Sequence, residues 1–596
     1  MFGPDSFRWR WLIQDLAEIP TFARMSLALR RASADGRETC ATLAVRQAER
    51  LGDRPALRFE SETLSFAELN RGANRVAHLL RREGVSRGDV FALMMQNSPA
   101  FLMAEVAAAK LGAVAALVNH HLVGAALEHA LAAASPKVVL ADEAAVPALA
   151  SILVPAPVFA EGPVEGLPPG FQSLDDACAA SDTHEPALAD LRGGDVFLYI
   201  YTSGTTGYPK PAIIRHMRFT MGGIALSALF GIGSDDCVYA PLPLYHGQSN
   251  FVGFAVALRA GACFASRRAF SAREFLPDVR RHGATMFVYV GELCRYLLAQ
   301  PPAATDRDHR LRVAAGAGLR PDVWRAFQER FGVARIFEMY GATEANVTMM
   351  NRANRAGSVG RPYPFQHAGA RLARVDAATG ELARDERGFA IPCRDGQPGE
   401  LLGRVGKGLI AYDGYVDREQ SERKLVRGAF RAGDAWFRTG DLLTRDRDGY
   451  YFFVDRLGDT FRWKGENVST QEVADILNRC TGIAESTVYG VAVPGADGRA
   501  GMAALVLEPG SELEPWRLWS EVDASLPGYA RPVFVRLVPS LSVTGTLKQR
   551  KVELKGEGYD PALVSDPLYV RDDSSRCYVP LGAEIADAIR SGLRRL

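Results

Sequence analysis

Along residues 40–142, segments whose apolar residues recur at helical spacing alternate with short, continuous apolar runs. The box Ser65-Phe-Ala-Glu68 has the spacing of a helix N-cap, and apolar residues follow it at helical intervals to about Arg82. Short continuous apolar runs at Val90–Met95 and Val138–Ala141 predict buried strands. Helical patterns lie between them, at Pro99–Leu111 and Gly124–Ala134. This alternation of strand and helix predicts a mostly parallel sheet.

The most apolar long stretch runs from Ser98 to Asn119. It carries Glu105 and Lys110 in its middle, where charges strongly disfavour a membrane-spanning helix. We therefore interpret it as a buried helix followed by a strand. Residues 154–170 are rich in Pro and Gly, which predicts a surface connection.

The pattern changes after about Leu372 to short strands separated by Gly and Asp, as in Gly449–Asp455. This spacing is typical of a small antiparallel sheet or barrel. A new α/β unit follows, with Thr470–Arg479 predicted helical and Glu485–Val493 predicted as a strand. We therefore predict three segments: 1–40, 41–455 and 456–596.

The first forty residues mix aromatic side chains with arginines, as in Arg8-Trp9-Arg10-Trp11, and a second apolar run ends in Arg30-Arg31. This composition favours peripheral contact of residues 7–31 with a membrane surface. An N-terminal helix docked on its own domain is the alternative, and the sequence leaves both open.

Charge and cysteine content exclude several classes of protein. The chain has 70 Lys and Arg against 69 Asp and Glu, a net charge of +1, so no nucleic-acid partner is indicated. The eight cysteines form no CxxC pair. This favours a reducing compartment over a disulfide or zinc scaffold. With no cleavable signal visible, we expect a cytoplasmic protein, with any membrane contact peripheral and on the inner face.

The clearest chemical motif follows the apolar strand Val196–Tyr201. It runs through hydroxyl and glycine residues to a lysine, and its candidate phosphate-binding members are Thr202, Ser203, Gly204, Thr205, Thr206, Gly207 and Lys210. Glycines let backbone N–H groups approach an oxyanion, while the hydroxyls and the ammonium add donors and charge. The order of residues does not fit the GxxxxGK[ST] loop of P-loop NTPases. We interpret it as a phosphate cradle of another kind.

This loop resembles the signature of the adenylate-forming superfamily, which includes acyl-CoA synthetases. Further blocks resemble its fatty acid transport protein and very-long-chain acyl-CoA synthetase family. They are Tyr199–Gly207, Pro243–Gly247, Tyr289–Leu298, Tyr340–Glu344 and Gly458–Ser469. The resemblance extends from about residue 45 to about residue 570. It implies an α/β fold: a large adenylation domain with mostly parallel sheets and a small β-rich subdomain, followed by a smaller, mobile α+β lid domain.

The resemblance also implies roles for residues outside the loop. Thr343 would contact the α-phosphate and Glu344 would hold Mg²⁺, following Tyr340 and Gly341 at the nucleotide. A carboxylate suits this metal because Mg²⁺ prefers hard oxygen ligands. Taken alone, the Thr-Glu pair favours a helix cap, and the other blocks are what favour the family role.

The adenine and ribose positions are also implied by resemblance. Small residues at Gly316-Ala317-Gly318 would let a flat adenine lie against the backbone. Asp441 and Arg456 would reach the ribose, although Asp441 alone reads as a turn residue before a strand.

His246 would border the carboxylate and the acyl pocket. Phe251, Phe254 and residues 289–298 are candidates for lining an apolar acyl tunnel. They are equally suited to an ordinary hydrophobic core.

Two positions depart from the superfamily pattern. The hinge position two residues after Arg456 is Gly458, where others carry Asp or Lys. The catalytic lysine of the last motif is replaced by Thr546, and the nearest cation is Lys548. In a strand these two side chains would point to the same side, about 6.6 Å apart. We therefore assign Lys548 to catalysis, with a solvated basic cluster as the alternative.

Together these observations predict an ATP- and Mg²⁺-dependent long- or very-long-chain fatty acid:CoA ligase that works through acyl-AMP, with CoA as co-substrate. Coupling to fatty acid uptake is compatible with this activity. One alternative is an adenylating enzyme that loads an acyl carrier protein. The other is a membrane-associated lipid-uptake protein without enzymatic activity. Chain length and oligomeric state stay open at this level.

Overall fold

The computed structural model describes residues 28–594 except 163–165, 203–207, 363–368, 377–378, 465, 495, 497 and 543–550. These residues form two compact units. One comprises the chain up to Gly369 together with Arg404–Leu425, and the other comprises Ala370–Gly403 and the chain from Val426 onward. Within the described ranges, no helix has both the length and the apolar character needed to span a membrane.

The first unit contains a sheet whose central strands are parallel and whose outer strands are antiparallel. The strands follow one another in the order Arg361–Pro362, Met349–Asn351, Arg335–Tyr340, Val313–Ala317, Met286–Val290, Cys237–Tyr239, Cys263–Ser266, Pro55–Phe59 and Glu62–Ser65. The parallel strands are buried and consist mainly of apolar residues, because helices cover both faces of such a sheet.

A second sheet of the same unit is parallel except at its last pair. Its strand order is Phe171–Ser173, Val158–Ala160, Val139–Ala141, Val90–Met94, Val114–Leu117, Val196–Thr202 and Lys210–Arg215. The predicted mostly parallel α/β architecture is therefore confirmed.

The helices of this unit confirm several local predictions. Its α-helices are Cys40–Leu51, Phe66–Arg82, Pro99–Leu111, Gly124–Ala134, Val146–Ala150, Leu174–Ala179, His216–Phe230, Ala255–Ala260, Phe275–His282, Gly291–Leu298, Pro321–Phe331 and Arg418–Arg423. Short 3₁₀ turns cover Glu143–Ala145 and Gly408–Ile410, and Gln248–Phe254 is a π-helix. The predicted capping box forms: Glu68 N donates to Ser65 Oγ at 3.2 Å, and Ser65 N donates to Glu68 Oε2 at 2.8 Å.

The apolar stretch from Ser98 to Asn119 is a buried helix followed by a buried strand, as predicted. Both of its charged residues are fully buried and hydrogen-bonded. Lys110 donates to Asn70 Oδ1 at 2.9 Å and pairs with Glu185, while Glu105 accepts from Asn250 Nδ2 at 2.8 Å. Burial raises the pKa of Glu105 to about 8, although the Asn250 hydrogen bond opposes the shift.

The prediction of a surface connection over residues 154–170 was wrong in its middle. Val158–Ala160 is a buried strand between Val139–Ala141 and Phe171–Ser173. This strand has only three apolar residues, which is too short a run to show a strand periodicity, and the prolines and glycines around it predicted a loop.

The second unit is β-rich. One sheet contains Ala370–Ala373, Gly399–Arg404, Ala435–Arg445, Leu425–Arg427 and Tyr451–Arg456. In it Ala370–Ala373 pairs antiparallel with Gly399–Arg404, and Ala435–Arg445 pairs antiparallel with Tyr451–Arg456. A hairpin of Phe461–Trp463 and Glu466–Val468 follows, and a further sheet has the order Ile483–Ala492, Arg499–Leu507, Phe534–Leu537, Leu568–Asp572 and Cys577–Pro580. The α-helices are Thr470–Leu477, Pro515–Ser525, Val552–Glu557 and Ala583–Arg590.

The predicted segments 1–40, 41–455 and 456–596 are placed from sequence motifs, whereas the two units are defined by how compactly their residues pack. The functional boundary between residues 455 and 456 therefore stays a prediction. Most of the N-terminal segment lies outside the described residues. Residues 28–31 are helical, and Ala32 packs fully buried against Ile224.

Candidate active site

The two ends of the predicted phosphate loop lie on paired strands. Thr202 ends the strand Val196–Thr202, and Lys210 begins the antiparallel strand that pairs with it, with Thr202 opposite Lys210. Ser203, Gly204, Thr205, Thr206 and Gly207 lie outside the described residues. The strand register therefore brings the first and last candidate residues of the loop together.

Tyr415 connects this loop to Glu344. Its hydroxyl donates to Glu344 Oε1 at 3.1 Å and is also hydrogen-bonded to the Thr202 side chain. Burial, with the Glu344 charge as a further cause, raises the pKa of Tyr415 well above its usual value. Thr202 and Glu344, which are 142 positions apart in sequence, thus share one buried hydrogen-bonding partner.

The turn that carries Thr343 and Glu344 follows the strand Arg335–Tyr340, and Arg218 holds it from the helix His216–Phe230. Arg218 Nη2 donates to the Ala342 carbonyl oxygen at 2.9 Å. Burial lowers the pKa of Arg218, and the charges of Asp413 and Glu344 oppose that shift. A buried guanidinium with carboxylates nearby fixes the turn and adds positive charge beside Glu344.

Gly316 and Ala317 end the strand Val313–Ala317, which pairs with the strand Arg335–Tyr340, and Gly318 follows it. A Cβ at Gly316 would clash with the Tyr289 carbonyl oxygen, and Gly318 has φ of +82°, so both positions require glycine.

Glu338 lies beneath this turn and holds it. Its Oε1 accepts hydrogen bonds from the backbone N–H groups of Gly318 and Leu319, the latter at 3.1 Å. Its Oε2 accepts from the Tyr289 hydroxyl at 2.6 Å. Burial raises the pKa of Glu338 to about 8, and these hydrogen bonds oppose the shift. The backbone of the predicted adenine site is therefore set by one buried carboxyl group.

Gly247, which follows His246 in the chain, lies near the turn that carries Thr343. A Cβ built on Gly247 would lie 3.8 Å from Thr343 Oγ1 and 3.1 Å from the Phe251 ring. The His246 ring packs against Tyr245, with centroids 4.3 Å apart. Phe254 is buried against Phe264 at a centroid distance of 5.9 Å, a core position.

Asp441 and Arg456 lie in the second unit. They are opposite each other on antiparallel strands, and Arg456 Nε is 3.7 Å from Asp441 Oδ1. The structure brings together the two residues predicted to reach the ribose.

Lys548 lies outside the described residues, but Lys551 is described and partly buried. Its Nζ donates to Thr470 Oγ1 at 2.9 Å and lies 3.8 Å from Asp459 Oδ2. Thr470 in turn donates to Asp455 through its backbone N–H, at 2.5 Å. Burial lowers the pKa of Lys551, although Asp459 and Asp455 oppose that shift. Lys551 therefore has a structural role around residues 455–459.

A magnesium ion would fit Glu344. The described residues contain no group of three or more His, Cys, Asp or Glu side chains arranged to hold a metal. Mg²⁺ at nucleotide sites commonly takes one or two carboxylates and completes its shell with phosphate and water oxygens. Glu344 is a hard oxygen donor that Tyr415 orients, and this suits such a site.

A family model described as AMP-binding enzyme matches residues 44–411, and a second, described as AMP-binding enzyme C-terminal domain, matches residues 472–548. The chain belongs to the AMP-binding enzyme family. The first match spans more than half of the chain and includes the phosphate loop, the Gly316–Gly318 turn and the Thr343-Glu344 pair.

Two relatives match almost the whole chain of this AMP-binding enzyme. It is 40% identical over 585 residues to Medium/long-chain-fatty-acid–CoA ligase FadD6 of Mycobacterium tuberculosis (strain ATCC 25618 / H37Rv), covering 97% of this chain and 96% of that protein. It is also 40% identical over 542 residues to Long-chain fatty acid transport protein 6 of Mus musculus, covering 89% and 87%.

Solved structures share the fold. ATP-bound MatB from Rhodopseudomonas palustris has a TM-score of 0.73 at 26% identity, covering 87% of this chain and 98% of that one. The anthranilate CoA ligase AuaEII, in complex with anthranoyl-AMP, has a TM-score of 0.75 at 24% identity, with 87% and 97% covered.

Sequence reasoning missed Glu338, Arg218 and Tyr415. Glu338 stands in an apolar strand two residues before Tyr340, and a carboxylate in such a place is a signal that it has buried partners. Tyr415 follows the turn Asp413-Gly414 far from the other motifs, so the sequence alone gave no reason to place it beside Glu344.

Proposed function

We propose that this AMP-binding enzyme is a long-chain or very-long-chain fatty acid:CoA ligase. The observation that carries the proposal is that Tyr415 is hydrogen-bonded to both Thr202 and Glu344. The strand that leads to Glu344 also carries Glu338, which holds the Gly316–Gly318 turn. Activation of a fatty acid carboxylate by ATP requires a phosphate cradle, a protein carboxylate that holds Mg²⁺, and a flat glycine surface against which the adenine can lie. The ligase named above, 40% identical over nearly its full length, supports the choice of substrate.

The reaction has two steps. The fatty acid carboxylate attacks the α-phosphorus of ATP, which forms acyl-AMP and releases pyrophosphate. The CoA thiol then attacks the acyl carbonyl carbon, so that the thioester forms and AMP leaves. The free carboxylate is a poor acylating agent, whereas the mixed anhydride has a good leaving group.

We assign each step to residues of this chain. Thr202, Lys210 and Thr343 would donate to or neutralise the phosphates, and Lys548 would stabilise charge that develops during the first step. Mg²⁺ held by Glu344 would neutralise phosphate charge. The lid beginning near residue 457 would rotate between the steps, and Gly458 suits that motion through its backbone freedom.

Pyrophosphate release over carboxylic acids of graded chain length, with and without CoA, tests this function. We expect release that depends on long-chain acids, and acyl-CoA as the product when CoA is present. Thioester formed on a phosphopantetheinylated carrier protein but not on CoA would favour the carrier-loading alternative. Fatty acid binding without pyrophosphate release would favour the uptake protein.

Membrane contact by residues 7–31 remains part of this proposal. The aromatic and arginine residues of its first part, 7–27, lie outside the described residues. The aromatic-arginine composition is what supports this contact.

Asp441→Ala is expected to raise the KM for ATP about 5- to 150-fold, because ribose hydrogen bonds of about 1–3 kcal/mol would be lost. The KM for fatty acid should change little. Initial rates at varied ATP measure this effect, and exposed Asp53→Ala serves as the control. If only the CoA kinetics change, the ribose assignment is wrong.

Glu338→Ala is expected to raise the KM for ATP about 10-fold, since the backbone N–H groups of Gly318 and Leu319 and the Tyr289 hydroxyl all lose their buried partner. The KM for fatty acid should change less than the KM for ATP, because two of the three hydrogen bonds that are lost belong to the adenine turn. Tyr289→Phe removes only the hydroxyl bond and should have a smaller effect. Equal changes for ATP and fatty acid would contradict a role specific to the adenine turn.

A further inference from the structure

A cavity of about 310 Å³ lies within the first unit, away from the residues of the proposed site. It opens between the helices Cys40–Leu51, His216–Phe230 and Ala255–Ala260, beside Ala28. Its polar wall carries arginines and its other wall is aliphatic. The residues that matter here are Arg46, Arg50, Arg259, Ile224, Ala228 and Ile232.

The polar wall has more positive than negative charge. The carboxylate of Glu38 is 3.3 Å from Arg46 Nη1 and 3.8 Å from Arg259 Nε. Arg50 Nε donates to the neutral side chain of Gln47 at 3.1 Å. One carboxylate therefore lies near two of the three guanidinium groups, and the third, Arg50, is bonded to a neutral side chain.

Arg259 shows the consequence of this imbalance. Burial lowers the pKa of its guanidinium; Glu38 opposes the shift, and the charges of Arg46, Arg50 and Arg31 add to it. Its Nε is buried and has no hydrogen-bond partner among the described residues. Glu38 Oε1, which likewise makes no hydrogen bond, faces this Nε at 3.8 Å, beyond hydrogen-bond distance, so an oxyanion placed closer to Nε would be stabilised here.

The aliphatic wall restricts the kind of anion. Ile224 and Ile232 are buried side chains, and Ala228 presents a methyl group on the exposed side of the cavity. Since Ile224 and Ile232 expose only 3% and 8% of their surface, the open part of this wall is the Ala228 methyl group, which a small hydrated anion would leave in contact with water. A hydrocarbon chain attached to the anion would cover it, and that burial is favourable.

We propose that this cavity binds an amphiphile that carries a phosphate head on a hydrocarbon chain. The phosphate oxygens would accept forked hydrogen bonds from Arg46, Arg50 and Arg259, and the first methylene groups would lie on Ile224, Ala228 and Ile232. Phosphate is favoured because its several oxygens serve more than one guanidinium group. The head could come from a phospholipid in a membrane or from a soluble amphiphile, and both present the same chemistry.

Calorimetric titration of the full chain with dodecyl phosphate, below its micelle concentration and without ATP, tests the site. The triple variant Arg46→Gln, Arg50→Gln, Arg259→Gln is expected to bind at least about 10-fold more weakly. The triple variant Arg310→Gln, Arg325→Gln, Arg418→Gln removes the same charge from exposed positions and should stay near the wild type. Equal weakening in both, or no weakening in the first, would overturn the proposal.

The aliphatic wall is tested separately. Ala228→Glu places a charge on the wall at an exposed position that tolerates it, and should also weaken dodecyl phosphate binding about 10-fold. Ala132→Glu, on another exposed helix position, is the control. Inorganic phosphate that binds as tightly as dodecyl phosphate would contradict an amphiphile site.

The two sources are separated with vesicles. If a membrane lipid supplies the head, sedimentation with phosphatidylcholine vesicles should increase when phosphatidate is added. The arginine triple variant should lose that increase, and dodecyl phosphate should compete for it. If a soluble amphiphile supplies the head, dodecyl phosphate binds while phosphatidate vesicles do not. Thermal unfolding of each variant shows that it is folded, and none of these readouts depends on ligase activity.

Discussion

Glu344→Gln should lower the rate of acyl-AMP formation by more than about 100-fold, the scale of losing one preorganised stabilising group at a reacting phosphate. The substitution removes one negative charge and keeps the size of the side chain. Tyr415 still finds an amide oxygen as its acceptor, so the fold around residue 344 should be retained. Pyrophosphate exchange at varied Mg²⁺ measures the effect.

The exposed Glu329→Gln is the matched control and should leave the exchange rate unchanged. Tyr415→Phe separates orientation from ligation, because it frees Glu344 without removing its charge. A smaller loss is expected there than for Glu344→Gln. Near-normal acyl-AMP formation by Glu344→Gln at saturating Mg²⁺ would show that Glu344 does not hold the metal.

Lys548→Ala should slow acyl-AMP formation by at least about 100-fold and leave thioester formation from supplied acyl-AMP nearly unchanged. The reason is that a cation is needed beside the α-phosphate and the attacking carboxylate only in the first step. Thr546 cannot supply that charge. Single-turnover measurements of the two half-reactions test the difference.

Lys551 provides the matched control because it is a neighbouring lysine whose contacts are known. Its ammonium is bound to Thr470 and lies near Asp459. Lys551→Met is therefore expected to lower the thermal unfolding temperature and to affect both half-reactions alike. A selective loss of acyl-AMP formation in Lys551→Met, or an equal loss of both steps in Lys548→Ala, would refute the assignment of Lys548.

Local patterns were sufficient for many elements of the first unit. The capping box at Ser65 and Glu68, the helices Pro99–Leu111 and Gly124–Ala134, and the strands beside them follow from periodicity and side-chain chemistry within a short window. The strand Val158–Ala160 did not, because three apolar residues among prolines become a strand only when neighbouring strands offer hydrogen bonds.

The same contrast holds for the candidate site. By itself the sequence determined the chemical types at Thr202, Glu344, Asp441 and the Gly316–Gly318 turn, since those residues stand in motifs that resemble a family. Only the tertiary structure decided that Tyr415 lies between Thr202 and Glu344, and that Glu338 holds the Gly316–Gly318 turn. The physical reason is distance along the chain: hydrogen bonds between residues far apart in sequence arise from strand register and burial, and neither leaves a periodic trace in the sequence.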